Sequence, residues 1–405
     1  MKTLRGYWLL PALLVLSAML RVGMRSEAQT LTWLGTLPGG YSSYAYGVSA
    51  DGSVVVGRAY DASGALRAFR WTQSGGMQDL GTLGGPWGVA QGVSADGSVV
   101  VGGADNASGQ IRAFRWTESG GMQDLGTLGG PWSWADGVSA DGSVVVGGAY
   151  FDSWGSLYRA FRWVLGVGMQ DLGTLGGPTS RAHGVSADGS VVVGWADDDS
   201  GSRRAFRWEN GVMQDLGTLG GDWSEAYGVS ADGSVVVGKA ENASGVYHAF
   251  RWTPSVGMQD LGTLGGDWSE AYGVSADGSV VVGRVDNGSG VWRAFRWTES
   301  GGMEDLNTTY AHLLMPGSYL AIAVALSPDG RYIVGYGWNA DTGRWEAFLL
   351  DTQAAFSIRG NLQLGDYTGD PAQVAITVQL RQNGNPVRTE TIYTDSNGNY
   401  SIPNV

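Results

Sequence analysis

The chain has 405 residues, a formal net charge of −13, 68 glycines and no cysteine. An acidic surface disfavours DNA, RNA and anionic lipid as partners, and the missing thiols exclude disulfides, zinc–thiolate centres and cysteine nucleophiles. Abundant glycine, scarce helix formers and plentiful valine, tryptophan and tyrosine exclude a helical, an α/β or a disordered chain and point to an all-β fold with a packed core.

Residues 1–28 read as a secretory signal peptide. Lys2 and Arg5 form a charged start, Leu9 to Leu20 an apolar centre, and Ser26-Glu27-Ala28 offers small residues for cleavage. The alternative is an uncleaved N-terminal anchor. No later apolar stretch is long enough to span a bilayer, so no transmembrane segment is expected after removal of the signal.

Next comes the stretch that organises the rest. GVSADGSVVVG begins at Gly47 and recurs unchanged from Gly92, Gly137, Gly184, Gly228 and Gly273, with a degenerate copy, ALSPDGRYIVG, from Ala325 to Gly335. Asp-Gly is a two-residue hairpin signal. Three successive valines, Val54 to Val56 in the first copy, put apolar groups on both faces of one strand, so the sheet is covered on both sides.

The turn aspartates, Asp51, Asp96, Asp141, Asp188, Asp232, Asp277 and Asp329, are 45, 45, 47, 44, 45 and 52 residues apart. Each step carries four strand-like pieces, typified by AYGVS, SVVVG, RAFRW (Arg67–Trp71) and MQDLGTL (Met77–Leu83). Four strands in a repeat of this length form the blade of a β-propeller. The seventh copy lacks a fourth strand, whereas Thr32–Leu37 is a fourth strand with no predecessor. The two ends therefore meet in one blade, closing a seven-bladed ring and removing two free sheet edges; an open β-solenoid is the rival. In RAFRW the phenylalanine and tryptophan share a face and fill the space between blades.

RAFRW, GMQDLGTLGG and SADGSVVVG, recurring in fixed order over residues 31–350, resemble the HAF-repeat family of exported bacterial proteins, named for a His-Ala-Phe tripeptide. Only His248-Ala249-Phe250 keeps the histidine here. The resemblance implies an extracellular or cell-envelope setting and a propeller-like repeat. It implies no reaction and transfers no catalytic residue.

Comparison of the copies locates a variable face. One loop set there includes Trp87, Trp132, Trp134, Arg181, Trp223, Glu225, Trp268 and Glu270; the other includes Asp61, Asp105, Trp154, Asp197 to Asp199, Glu241 and Asp286. Tyr46, Gln91, Asp136, His183, Tyr227 and Tyr272 are placed to face a central channel. Tryptophans beside carboxylates suit sugar rings, which stack on aromatics and donate hydroxyl hydrogen bonds. The candidate ligand-binding residues are Trp87, Trp132, Trp134, Trp223, Glu225, Trp268, Glu270, Asp136, Tyr227 and Tyr272. The plainer reading makes the tryptophans blade caps and the acids solubilising groups.

Other signals are weaker. Gly233 to Lys239 imitates a phosphate loop, but Ala240 stands where a magnesium-binding hydroxyl belongs and the stretch is a strand, so no nucleotide is expected. His183, His248 and His312 fall at different repeat positions and form no metal site or triad. Asp197 to Asp199 lacks the spacing of a calcium loop. Asn106, Asn242, Asn287 and Asn307 start glycosylation sequons of a kind that arises by chance in serine-rich loops.

After Asp351 the texture changes. Residues 356–405 carry alternating strands at Val374–Leu380 and Val387–Tyr393, with Asn-Gly turns at 383–384 and 397–398. TDSNGNYSIPNV resembles a hairpin of the transthyretin-like or carboxypeptidase-regulatory β-sandwich, a carbohydrate-binding-like fold, of which about fifty residues make only a partial copy. The expectation is an exported, non-enzymatic interaction module without cofactor or metal, its partner a glycan or a surface protein. The alternative is a glycan-directed hydrolase or lyase with paired carboxylates in the channel.

Overall fold

The computed structural model describes residues 29–152 and 157–353 with their side chains, and the backbone of the strands at 19–27, 355–363, 375–382, 385–393 and 399–402. Trp154 and most of the expected signal peptide lie outside the described residues. The chain divides into two units, Thr30–Thr352 and Met1–Gln29 with Gln353–Val405.

Thr30–Thr352 is a seven-bladed β-propeller of four-stranded antiparallel sheets. In blade 1 the strands are Ser43–Val48, Val54–Tyr60, Leu66–Thr72 and Gly76–Asp79, paired in that order from the channel outward. Blades 2 to 6 repeat this plan. Blade 7 takes its first three strands from Tyr319–Leu326, Tyr332–Asn339 and Arg344–Asp351 and its fourth from Thr30–Trp33. Thr30 pairs with Asp351 and Trp33 with Phe348, and the Leu34 N–H donates to the Ala347 carbonyl at 2.9 Å. The expected mixed-terminus closure is therefore present, with the closing strand starting two residues earlier than the sequence suggested.

The valine triplet explains the covered sheet. In blade 1, Val54 and Val56 join Ala68 and Leu80 against Ala90, Val100, Phe114 and Trp116 of blade 2, while Val55 turns to blade 7. This alternation recurs around the ring and gives seven interblade cores. Phe114 is fully buried there, as the RAFRW pattern required.

Two local expectations need correction. The SADGS hairpin is not a two-residue turn. Its Gly52 N–H donates to the Ser49 carbonyl at 3.1 Å, Ser49 Oγ accepts the Val54 N–H, and Gly52, not Asp51, takes positive φ. The fourth strand stops at Asp79, whose carboxylate accepts the Gly81 N–H at 2.8 Å. The following Leu80 leaves the sheet and enters the interblade core.

The 52-residue step before the seventh copy is accounted for by a helical turn, Leu306–Thr309, capped by Asp305, and the 3-10 turn Ala311–Leu313. Leu306 and Tyr310 pack into the core between blades 6 and 7.

In the other unit, Met19–Glu27 pairs with Ala355–Gln363, which also pairs with Asn399–Ile402, and Ala375–Gln382 forms a hairpin with Asn385–Tyr393. The signal-peptide reading thus assigns one of these strands to the removed segment. Among the described residues no helix is long and apolar enough to cross a membrane.

Candidate functional site

Every blade's first strand carries an extra residue at the same place, two residues after the one paired with the residue that follows the VVVG glycine or its equivalent. In blade 1, Ala45 pairs with Gly57 and Gly47 with Val56, leaving Tyr46 as a β-bulge. The same shift falls at Gln91, Asp136, His183, Tyr227, Tyr272 and Val324. A bulge re-aims a side chain and bends its strand, and these seven residues line a channel cavity of about 530 Å³. Six of them are the residues expected to face the channel; Val324 completes the ring.

Two residues before each bulge stand Tyr44, Val89, Trp134, Arg181, Glu225, Glu270 and Ile322. These are strand residues, so Trp134, Arg181, Glu225 and Glu270 do not lie in the expected loops. Across from them on the second strand stand Arg58, Gly103, Gly148, Trp195, Lys239, Arg284 and Tyr336. Three seven-membered rings therefore define the channel mouth on the variable face.

The charged members are linked across blades 3 to 6. Arg181 donates two bonds of 2.8 Å to Asp136. Arg203 reaches Glu225 at 2.5 Å, Lys239 lies 3.8 Å from Glu225 and 3.6 Å from Glu270, and Arg284 binds Glu270 at 3.0 Å. The Tyr227 and Tyr272 hydroxyls donate to Glu225 and Glu270 at 2.5 Å. Burial, followed by these carboxylates, pushes both phenols well above the usual tyrosine range.

Burial works against the Glu270 charge, but Lys239, Arg284 and the Tyr272 hydroxyl outweigh it and hold the carboxyl below its usual range. Burial raises Asp136 in spite of Arg181. His183 stands 3.7 Å from Asp136, whose charge is already engaged by Arg181; burial and then Arg181, Arg203 and Lys239 keep the imidazole neutral.

Beside the channel a second cavity of about 660 Å³ opens over blades 2 to 4. It is lined by Trp132, Trp134, Tyr150, Tyr158 and Trp195, with Gln91, Thr179 and Arg181 as polar groups and Ile111 and Ser133 completing the wall. Two glycines create it. A Cβ at Gly103 would stand 2.6 Å from the Trp134 ring, and one at Gly148 2.1 Å from the Tyr158 ring. Where other blades carry Arg, Lys, Trp or Tyr, these blades leave room for aromatic rings to lie down. Tyr150 and Tyr158 meet edge to face at 4.9 Å, Trp132 meets Tyr150 at 5.5 Å, and the Arg203 guanidinium lies 3.8 Å over Trp195.

The candidate residues thus fall into three groups. Trp132 and Trp134 share the aromatic cavity, with Trp87 packed on Trp134 at 4.9 Å. Asp136, Tyr227 and Tyr272 line the channel, with Glu225 and Glu270 behind the tyrosines. Trp223 and Trp268 are about 40% exposed and lie outside both cavities. Repeat comparison did not single out Tyr150, Tyr158 or Trp195. The signal for them is the glycine that follows VVVG in blades 2 and 3, which only the tertiary contacts make meaningful.

Several acids of the variable face are turn caps. Asp61 accepts the N–H groups of Ser63 and Ala65 and pairs with Arg67. Asp198 does the same for Ser200, Ser202 and Arg204, and Asp197 accepts a bond from Thr179. Asn106 and Asn242 hold the equivalent turns. Lys239, the pseudo-phosphate-loop lysine, sits in a strand facing Glu225. His248 pairs with Asp260 at 2.8 Å, and among the described residues no three His, Asp or Glu side chains form a metal-holding group.

No family model matches the sequence, and the comparison with curated proteins finds no relative. Among solved structures the chain is similar to TolB from Acinetobacter baumannii, at 14% identity and a TM-score of 0.43, over 71% of this chain and 77% of that one. It is also similar to a putative TolB from Agrobacterium tumefaciens, at 13% identity and a TM-score of 0.40, over 76% of this chain and 90% of that one.

Proposed function

We propose that this protein is an exported, non-catalytic interaction module of the cell surface or extracellular matrix that binds a glycan on the variable face of its propeller. The aromatic cavity carries the reading. Tryptophan and tyrosine rings packed edge to face and flanked by Gln91, Thr179 and Arg181 suit the apolar faces and hydroxyl edges of a sugar. The secretory pattern of residues 1–28, the HAF-repeat resemblance and the sandwich-like texture of residues 356–405 belong to the same proposal.

A hydrolase or lyase in the channel is less well supported. It needs one carboxyl that can hold a proton beside another that stays charged. Glu270 is held charged by Lys239 and Arg284. Burial raises Asp136, but both of its oxygens accept hydrogen bonds from Arg181, which leaves neither free to carry a proton to a leaving group.

A glycan array on the exported protein tests the proposal. The expected result is binding that Trp134→Ala and Tyr158→Ala each weaken by about tenfold, the loss of one stacking contact of roughly 1–1.5 kcal/mol, in variants whose thermal unfolding is still cooperative. Absence of any hit above background overturns it.

A further inference from the structure

The seven-fold comparison isolates one cation. In the three rings at the channel mouth, Arg181, Lys239 and Arg284 each have a carboxylate: Asp136, Glu225 and Glu270 respectively. The fourth cation, Arg58, does not. Its cross-strand neighbour is Tyr44, where Lys239 and Arg284 face glutamates. Among the described residues no carboxylate lies within ion-pair distance of Arg58. The Tyr46 hydroxyl is its hydrogen-bond partner, and its buried Nε–H meets no acceptor, as also at Arg284.

Arg58 is half-buried, and aromatic faces surround it. Its guanidinium lies 4.9 Å over the Tyr44 ring and 5.6 Å over Tyr46, and Tyr336 meets Tyr44 edge-on at 4.9 Å. Ring faces only partly offset the desolvation of a cation, whereas a carboxylate forms paired hydrogen bonds with a planar guanidinium. Tyr46 lines the channel cavity, so the site stands at the cavity margin.

We propose that Arg58, backed by Tyr44 and Tyr46, forms a subsite for a carboxylate, and that the ligand of this face is an acidic saccharide of the uronate class. The sugar part of this assignment rests on the glycan reading; the carboxylate part rests on Arg58 alone. A planar carboxylate matches the in-plane donors of a guanidinium more closely than a tetrahedral sulfate ester does.

Calorimetric titration of the full chain at low salt decides it, with an oligogalacturonate, its carboxyl-reduced neutral counterpart, a sulfated oligosaccharide and free glucuronate as probes. The uronate oligomer is expected to bind about tenfold or more tightly than the reduced form. Arg58→Gln removes that preference and leaves neutral binding unchanged. Tyr44→Glu, which supplies the cross-strand carboxylate found in blades 5 and 6, does the same while keeping the arginine. A melting temperature for each variant verifies folding. Equal binding of the acidic and reduced oligomers overturns the subsite and leaves the glycan reading standing. A preference for the sulfated probe overturns the carboxylate assignment. Glucuronate binding that depends on Arg58, without any oligosaccharide binding, upholds the subsite and removes the glycan reading. Failure of every probe removes both.

Discussion

Gly88 occupies a first-strand position where five other blades place serine. Those serines tie neighbouring blades together: Ser133 Oγ accepts the Ala113 N–H at 2.9 Å and donates to the Gly126 carbonyl at 2.6 Å. The same pair of bonds recurs at Ser180, Ser224, Ser269 and, across the ring closure, Ser43. A Cβ at Gly88 would stand 3.3 Å from the Gly81 carbonyl and 3.5 Å from the Ala68 nitrogen, the two groups a hydroxyl there would bridge. Gly88→Ser is therefore expected to stabilise the fold by about 1 kcal/mol, read as a higher urea midpoint at unchanged slope. A lower midpoint would show that the 3.3 Å approach is a clash.

At the scale of the element, the SADGS turn is the recurring device. In each verbatim copy the aspartate accepts the hydroxyl of the preceding serine and the N–H and hydroxyl of the following one. Asp96 and Asp277 are pulled down to about 2, first by the Ser94 and Ser275 hydroxyls and then by Ser98 and Ser279. A carboxyl lower in the folded state than its ordinary 3.8 contributes stability that is complete above about pH 4 and is lost as pH falls through about 2. Unfolding midpoints measured at pH 5 and pH 2.5 should therefore drop, and Asp96→Asn with Asp277→Asn should shrink the drop. An identical drop in the double variant would place the acid sensitivity elsewhere. The turn also sets blade spacing, because the Gly97 position tolerates no Cβ: one would stand 2.6 Å from Val54 of the preceding blade, on a backbone at φ +73°.

For the whole molecule, the seam is where the ring is held. Around the lower channel the Ala50 N–H donates to the Ala95 carbonyl, Ala95 to Ala140, and so on to Ala276 and Pro328. Pro328 has no N–H to pass on, so the circle of bonds stops between blades 7 and 1. The closing strand Thr30–Trp33 and Ser43, which bonds Ala347 and Gly35, bridge that gap. Ser43→Ala leaves a buried N–H unpaired, a loss of about 1–3 kcal/mol. Hydrogen exchange should rise at Thr30–Trp33, while Ser133→Ala leaves that strand protected. Equal protection in both variants would mean that the seam does not depend on Ser43.

The sequence by itself determined the repeat, the four strands of each blade, the seven-fold count and the meeting of the two ends, because each follows from local periodicity and turn chemistry repeated at fixed spacing. It also identified six of the seven channel residues. Only the tertiary structure decided the bulges that aim them, the glycines under Trp134 and Tyr158 that open the aromatic cavity, and which cations have partners. The physical reason is that pairing and cavity shape depend on side chains brought together from different blades: Arg181 and Asp136 meet although 45 residues apart, and Arg58 is singled out only when its place in the ring is compared with those of Lys239 and Arg284.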